Sequence, residues 1–103
     1  SNRFICIMNH NIYLCDLYDY YKELLTDKQK MYFEDYYFDN LTLSELSENY
    51  NVSRNAIHKT LKEIEAKLNT FEDKLNLYKN REKIKDIISS LDDDIKKRIN
   101  ELI

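Results

Sequence analysis

Apolar residues recur at helical intervals along nearly the whole chain, and short polar clusters separate the runs. From Asn11 to Leu25, the residues Leu14, Leu17, Tyr18, Tyr21, Leu24 and Leu25 fall three and four apart and predict a first helix. Thr26 followed by Gln29 has the spacing of a capping box, which opens a second helix. Met31, Phe33, Tyr37 and Phe38 give that helix its apolar side, and Asp39-Asn40 end it. Thr42 with Glu45 repeats the capping-box spacing and opens a third helix, whose Leu43, Leu46 and Tyr50 share one face.

The next residues, from Asn51 to Leu61, complete the pattern of a helix-turn-helix, the unit that lays a helix in a DNA major groove. Asn51 stands where the turn needs a positive φ, which its short amide tolerates. Val52 is expected to plug the turn, and Ser53 to cap the second helix of the pair. Ala56, Ile57, Thr60 and Leu61 then face inward, and small Ala56 permits close helix–helix approach. Arg54, Asn55, His58, Lys59 and Lys62 are left outward, where a recognition helix presents groups to base edges and phosphates. With Ser53, which can reach a phosphate, they form the candidate nucleic-acid-binding set. An ordinary helical hairpin that only packs a core would show the same inward pattern.

No breaker interrupts the chain from Ser53 to about Tyr78. Over that stretch Ile57, Leu61, Ile64, Leu68, Phe71, Leu75 and Tyr78 alternate at spacings of four and three, a heptad stripe. A lone recognition helix does not need its far half, so Ile64, Leu68, Phe71, Leu75 and Tyr78 are assigned to a dimer or partner interface. The alternative cover is the C-terminal segment folding back. There Ile84, Ile87, Ile88 and Leu91 form an apolar face, and Ser90 with Asp93 caps a last helix carrying Ile95, Ile99 and Leu102. Asp92-Asp93-Asp94 suits a helix N-terminus, where the macrodipole favours acids.

The expected organisation is therefore all-α. Residues 1–10 form a peripheral segment whose Ser1-Asn2 fits an expression scar, 11–80 the helix-turn-helix domain with its long helix, and 81–103 the C-terminal helices. At 103 residues the chain can bury about two-thirds of its unfolded surface. It contains no Gly and no Pro, which suits long helices joined by Asn, Asp, Ser and Thr turns rather than tight hairpins. No apolar run approaches the ~20 residues of a membrane span, and Phe4 to Met8 is too short for a signal peptide, so a cytoplasmic protein with no membrane partner is expected.

Charge modifies the picture. The net charge is −3; residues 1–50 carry four Lys/Arg against nine Asp/Glu, and 51–103 carry twelve against ten. The stretch 51–62 holds Arg54, Lys59 and Lys62 with no acid. That is a modest footprint for a nucleic-acid binder, and it favours a dimer or a protein partner. Catalysis has little support. The absence of Gly excludes every Gly-rich phosphate loop, and His58 belongs to no recognisable triad, so the chain is not expected to be an enzyme. Cys6, His10 and Cys15 lack the paired spacing of a zinc site and read as two reduced or buried thiols beside a histidine; no metal or cofactor is expected. The nine Tyr and four Phe mostly fall on the apolar faces and read as core rather than as stacking platforms.

From Leu25 to Leu68 the chain resembles region 4 of bacterial sigma factors: a capped helix, aromatic Tyr36-Tyr37-Phe38, then Leu41-Thr-Leu-Ser-Glu-Leu-Ser-Glu and Asn51-Val-Ser-Arg. Asn40 and Asn51 stand where that pattern usually has Gly, and Ser47 where it often has Ala. A closer resemblance, over about residues 10–80, is to the YlxM family of helix-turn-helix proteins. It is carried by Leu24-Leu-Thr-Asp-Lys-Gln-Lys, Tyr36-Tyr-Phe-Asp-Asn-Leu-Thr-Leu-Ser-Glu, Asn51-Val-Ser-Arg-Asn-Ala-Ile and Glu72-Asp-Lys-Leu-Asn-Leu-Tyr. The resemblance implies a sigma factor region 4-like fold with a long recognition helix and a C-terminal helical extension, in a cytosolic homodimer. It also implies an accessory or regulatory role, with DNA or RNA, in the signal recognition particle pathway. The rival expectation is a protein adaptor whose helical stripe binds a particle GTPase or ribonucleoprotein without contacting DNA.

Overall fold

The computed structural model describes Phe4, Cys6, Met8 and residues 11–103. Among these residues there are helices and no strand. Helix α1 spans Ile12–Tyr21 and continues into a 3-10 turn, Lys22–Leu24. α2 spans Asp27–Phe33 and runs on into a π turn, Glu34–Phe38. α3 is Leu43–Tyr50, α4 Arg54–Leu75, α5 Leu77–Ile88 and α6 Asp93–Asn100.

Both expected capping boxes are formed. Thr26 Oγ1 accepts from the Gln29 N–H at 3.1 Å while the Gln29 side chain accepts from the Thr26 N–H at 2.9 Å. Thr42 and Glu45 make the same reciprocal pair at 3.0 and 3.1 Å. Each pair satisfies two donors that a helix N-terminus would otherwise leave open. Ahead of α1, Asn11 Oδ1 accepts from the Tyr13 N–H at 2.8 Å.

One core holds the first four helices together. Leu17, Phe33, Leu46, Ile57, Ile64 and Leu68 are fully buried in it, and Tyr18 stacks on Phe33 with ring centroids 4.1 Å apart. Full burial of each such side chain contributes about 1.5–3 kcal/mol, so this cluster dominates the stability of the domain. α4 is its spine, with α1, α2 and α3 all packed along it.

Several expectations change here. Ile57 and Leu61 are buried as expected, and Ile64 and Leu68 from the far half of the stripe are buried within the chain as well, with α1 and α2 packed along α4. The long helix ends at Leu75 rather than near Tyr78, because Asn76 adopts φ 56°, ψ 29° and turns the chain into α5. α1 stops as an α-helix at Tyr21, which leaves Leu24 exposed; Met31 also faces outward. The last helix is capped by Asp92, whose carboxylate accepts from the Ile95 N–H at 3.0 Å, and not by Ser90. Cys6 and Cys15 are buried as expected, but they are joined in a disulfide, their Cα atoms 6.3 Å apart, within bridging reach. His10 lies outside the described residues.

Candidate nucleic-acid interface

The turn between α3 and α4 is built by backbone bonds. Asn51 ends α3 in the left-handed region, φ 54° and ψ 47°. The Val52 N–H then donates to the Ser47 carbonyl at 3.1 Å, and the Ser47 hydroxyl donates back to the Val52 carbonyl. Val52 itself is 37% exposed, so this reciprocal pair closes the turn and no apolar plug is needed. Ser47, which the sequence offered only as a substitute for Ala, is the residue that matters.

Ser53 follows and caps α4: its Oγ accepts from the Ala56 N–H at 3.0 Å. From there the exposed positions are Arg54, Asn55, His58, Lys59 and Lys62. At 3.6 residues per turn these five lie on one face, opposite buried Ile57, Leu61 and Ile64. The structure thus brings the whole candidate set together along the first turns of α4, and at Arg54 and Asn55 the helix N-terminus adds positive potential.

α3 is held against the rest by Tyr50, whose hydroxyl donates to the Asp35 carboxylate while its ring lies 4.3 Å from that of Tyr32. The π turn makes this contact available. By widening the last turn of α2 it directs the Asp35 carboxylate to α3 and its carbonyl to the Leu41 N–H, 3.0 Å away. Burial, reinforced by the bonded carboxylate, raises the Tyr50 phenol well above its ordinary range.

Lys62 is the exception within the set. Its ammonium lies 3.2 Å from the Glu65 carboxylate, which also accepts the Tyr37 hydroxyl. Tyr37 is buried, and burial together with Glu65 pushes its phenol far upward. Glu65 is thereby anchored to the core and partly neutralises one of the three side-chain cations. Sequence reading placed Lys62 outward but carried no signal for Glu65, because its anchor is 28 residues away. Arg54 and Lys59 have no ion pair among the described residues.

The five positions assigned to a dimer or partner interface separate. Ile64 and Leu68 are wholly buried, Phe71 and Tyr78 are half-buried, and Leu75 is 49% exposed. Tyr78 packs edge-on to Tyr13 and Tyr20 of α1, at 5.1 and 6.5 Å between centroids. Among the described residues no cluster of three His, Cys, Asp or Glu could hold a metal ion, and no helix is long and apolar enough to cross a membrane.

Residues 8–102 match the model of a protein family described as "Putative helix-turn-helix protein, YlxM / p13 like". The chain belongs to this YlxM/p13-like family. Among its relatives is the UPF0122 protein YlxM of Bacillus subtilis, 43% identical over 75 residues that cover 73% of this chain and 68% of that protein. A UPF0122 protein of Geobacillus kaustophilus is 43% identical over 82 residues, 80% of this chain and 74% of its own. Another, from Listeria innocua, is 38% identical over 96 residues, covering 84% and 87%. For this YlxM/p13-like chain the family description and the geometry agree on a helix-turn-helix at α3–α4.

Proposed function

We propose that the chain is a non-enzymatic nucleic-acid-binding accessory protein of the cytoplasm, with α4 as its recognition helix. The observation that carries this reading is the set Arg54, Asn55, His58, Lys59 and Lys62, exposed on one face of a helix whose start is held by an αL turn and a serine cap. Arg54 and Asn55 fit base edges, while Lys59, Lys62 and Ser53 suit phosphates. The finer reading places this activity in the signal recognition particle pathway, with the particle's RNA as the nucleic acid. In the reducing cytosol the Cys6–Cys15 bond would stand as two thiols, which pack as small apolar groups.

The test is a titration of the protein into labelled duplex DNA and into a structured RNA, each at low and near-physiological salt. Three cations meeting phosphates give log K a slope of about −2 to −3 against log salt. The double variant Arg54→Glu/Lys59→Glu should keep its fold and lose at least about tenfold in affinity. A folded double variant that binds as tightly as the parent overturns the proposal. Preference for the RNA favours the particle reading.

A protein adaptor is the second reading. It is favoured by the net negative residues 1–50 and by the partial neutralisation of Lys62 by Glu65. Its surface would centre on exposed Leu75 and Leu77, since Ile64 and Leu68 are unavailable. Failure of the folded parent to bind either nucleic acid, together with binding of a particle GTPase that Leu75→Asp abolishes, would decide for it.

A further inference from the structure

Positive charge also gathers away from the recognition face, where α5 meets α6. Arg81, Lys85 and Ile88 follow at spacings of four and three along α5 and share one of its faces. Lys96 and Asn100 stand four apart on α6. The short connection after Ile88 brings the two faces to one open cavity of about 320 Å³, which Ser89 also lines. No acid is among the described residues that line it. The Ser89 hydroxyl is committed to the Asp86 carbonyl at 2.7 Å, which leaves Arg81, Lys85, Lys96 and the Asn100 amide as the donors.

Helix dipoles do not account for these cations. Lys85 falls in the last turn of α5, where a cation is favoured, but Arg81 and Lys96 stand mid-helix. Ion pairs do not account for them either. Lys85 lies 3.8 Å from Glu82 and Lys96 3.9 Å from Asp93, long pairs to exposed acids that contribute little. Arg81 has no ion pair among the described residues; its Nη1 donates to the Tyr20 hydroxyl at 3.1 Å, with the guanidinium 6.0 Å from the centre of the Tyr20 ring. Its Nε is buried and finds no acceptor among the described residues. A buried donor left unpaired is costly, and like charges drawn together add to that cost. An anion in the cavity would relieve both. The adjoining cavity, which Arg81 and Lys85 also border, holds Asp16, Asp19 and Glu82, so an anion is directed to the α6 side.

We propose that the cavity between α5 and α6 is a phosphate-binding site. Arg81 presents its fork to the oxygens, Lys85 and Lys96 supply charge from either helix, and the Asn100 amide donates at the edge. A carboxylate would offset one of the three cations, whereas a phosphate monoester carries about 1.5 to 2 negative charges and three acceptor oxygens. The phosphate belongs either to a small molecule or to a nucleic-acid backbone. The inference stands apart from α4, none of whose residues lines the cavity.

Nuclear magnetic resonance on the full chain tests it with two probes, inorganic phosphate and a structured RNA, with chloride holding the ionic strength fixed. Either probe should move the signals of Lys85, Ser89, Lys96 and Asn100 to saturation. Saturation by inorganic phosphate assigns the site to free phosphate groups; saturation by the RNA alone assigns it to the backbone. The variant Lys85→Gln/Lys96→Gln should bind the effective probe at least about tenfold more weakly, while Lys85→Arg/Lys96→Arg should keep it. For RNA the slope of log K against log salt should also become shallower by about 2 in the glutamine variant. Both changes lie outside the α1–α4 core, and circular dichroism checks the fold. The proposal fails if neither probe moves those signals, or if the folded glutamine variant binds as the parent does.

Discussion

Asn40, Asn51 and Asn76 hold φ at 57°, 54° and 56° in a chain that contains no glycine. A residue with a Cβ costs about 1–2 kcal/mol in the left-handed region, and asparagine is spared part of that by its short amide. Asn51→Ala should therefore lower Tm by roughly 5–10 °C, whereas Asn51→Gly should stay near the parent; a thermal melt followed by circular dichroism reads both. The buried Tyr21–Glu72 pair offers a second residue-scale test. Glu72, 5% exposed, accepts the Tyr21 hydroxyl at 2.6 Å and the N–H groups of Tyr78 and Lys79 at 3.0 Å each. The Tyr21 oxygen in turn accepts the Leu77 N–H at 3.0 Å. Tyr21→Phe should cost about 1–3 kcal/mol in urea unfolding, because it strips partners from both ends of that network. Burial, then the bond to Glu72, raises the Tyr21 phenol from 10.0 to about 12. The raised value favours the neutral phenol in the folded state, so its stabilisation is complete below pH 10 and is lost as pH climbs toward 12. Parent stability should fall across that window, and the fall should be shallower in Tyr21→Phe.

At the scale of elements, α4 is two things in succession: a recognition face at its start and a core spine through Leu68. Leu68→Ala should cost about 2–5 kcal/mol, while Leu75→Ala, at the exposed end of the same stripe, should change stability by less than about 1 kcal/mol. Chemical denaturation of the two variants separates core from surface along one heptad pattern. The local features were legible in the sequence, because capping boxes, the Ser53 cap and the Asn51 turn are written in residues within five positions of each other. The outward face of α4 was legible for the same reason. The break at Asn76 was not, since Asn55 and Asn69 of the same run stay helical and an asparagine alone does not mark the stop; it is held by Tyr21, more than fifty residues earlier. Which helix covers the stripe was equally hidden. Periodicity identifies an apolar face but not its neighbour, and α1 and the C-terminal helices both carry suitable faces. The Glu65 anchor to Tyr37 and the π turn that aims Asp35 at Tyr50 also depend on tertiary contacts with no local signature.

The whole molecule divides between a core domain, built by α1 to α4, and an arm that begins at α5. α5 is attached through the Glu72 network and through Arg81, which donates to the Tyr20 hydroxyl at 3.1 Å. No α6 residue belongs to the buried core cluster, so a chain ending at Ser90 should melt within about 4 °C of the parent. A larger loss would mean that α6 supports the domain from within. The same division has an optical consequence. Among the described residues, four tyrosine hydroxyls donate to carboxylates: Tyr18 to Glu34, Tyr21 to Glu72, Tyr37 to Glu65 and Tyr50 to Asp35. With no tryptophan in the chain, tyrosine is its only strong emitter of ultraviolet fluorescence. An excited phenol readily passes its proton to a bonded carboxylate, which dims its normal emission and shifts the remainder to the red. Emission from these four tyrosines is therefore dimmed in the folded domain and recovers as the helices separate. α6 has no tyrosine, so the light is blind to that last helix.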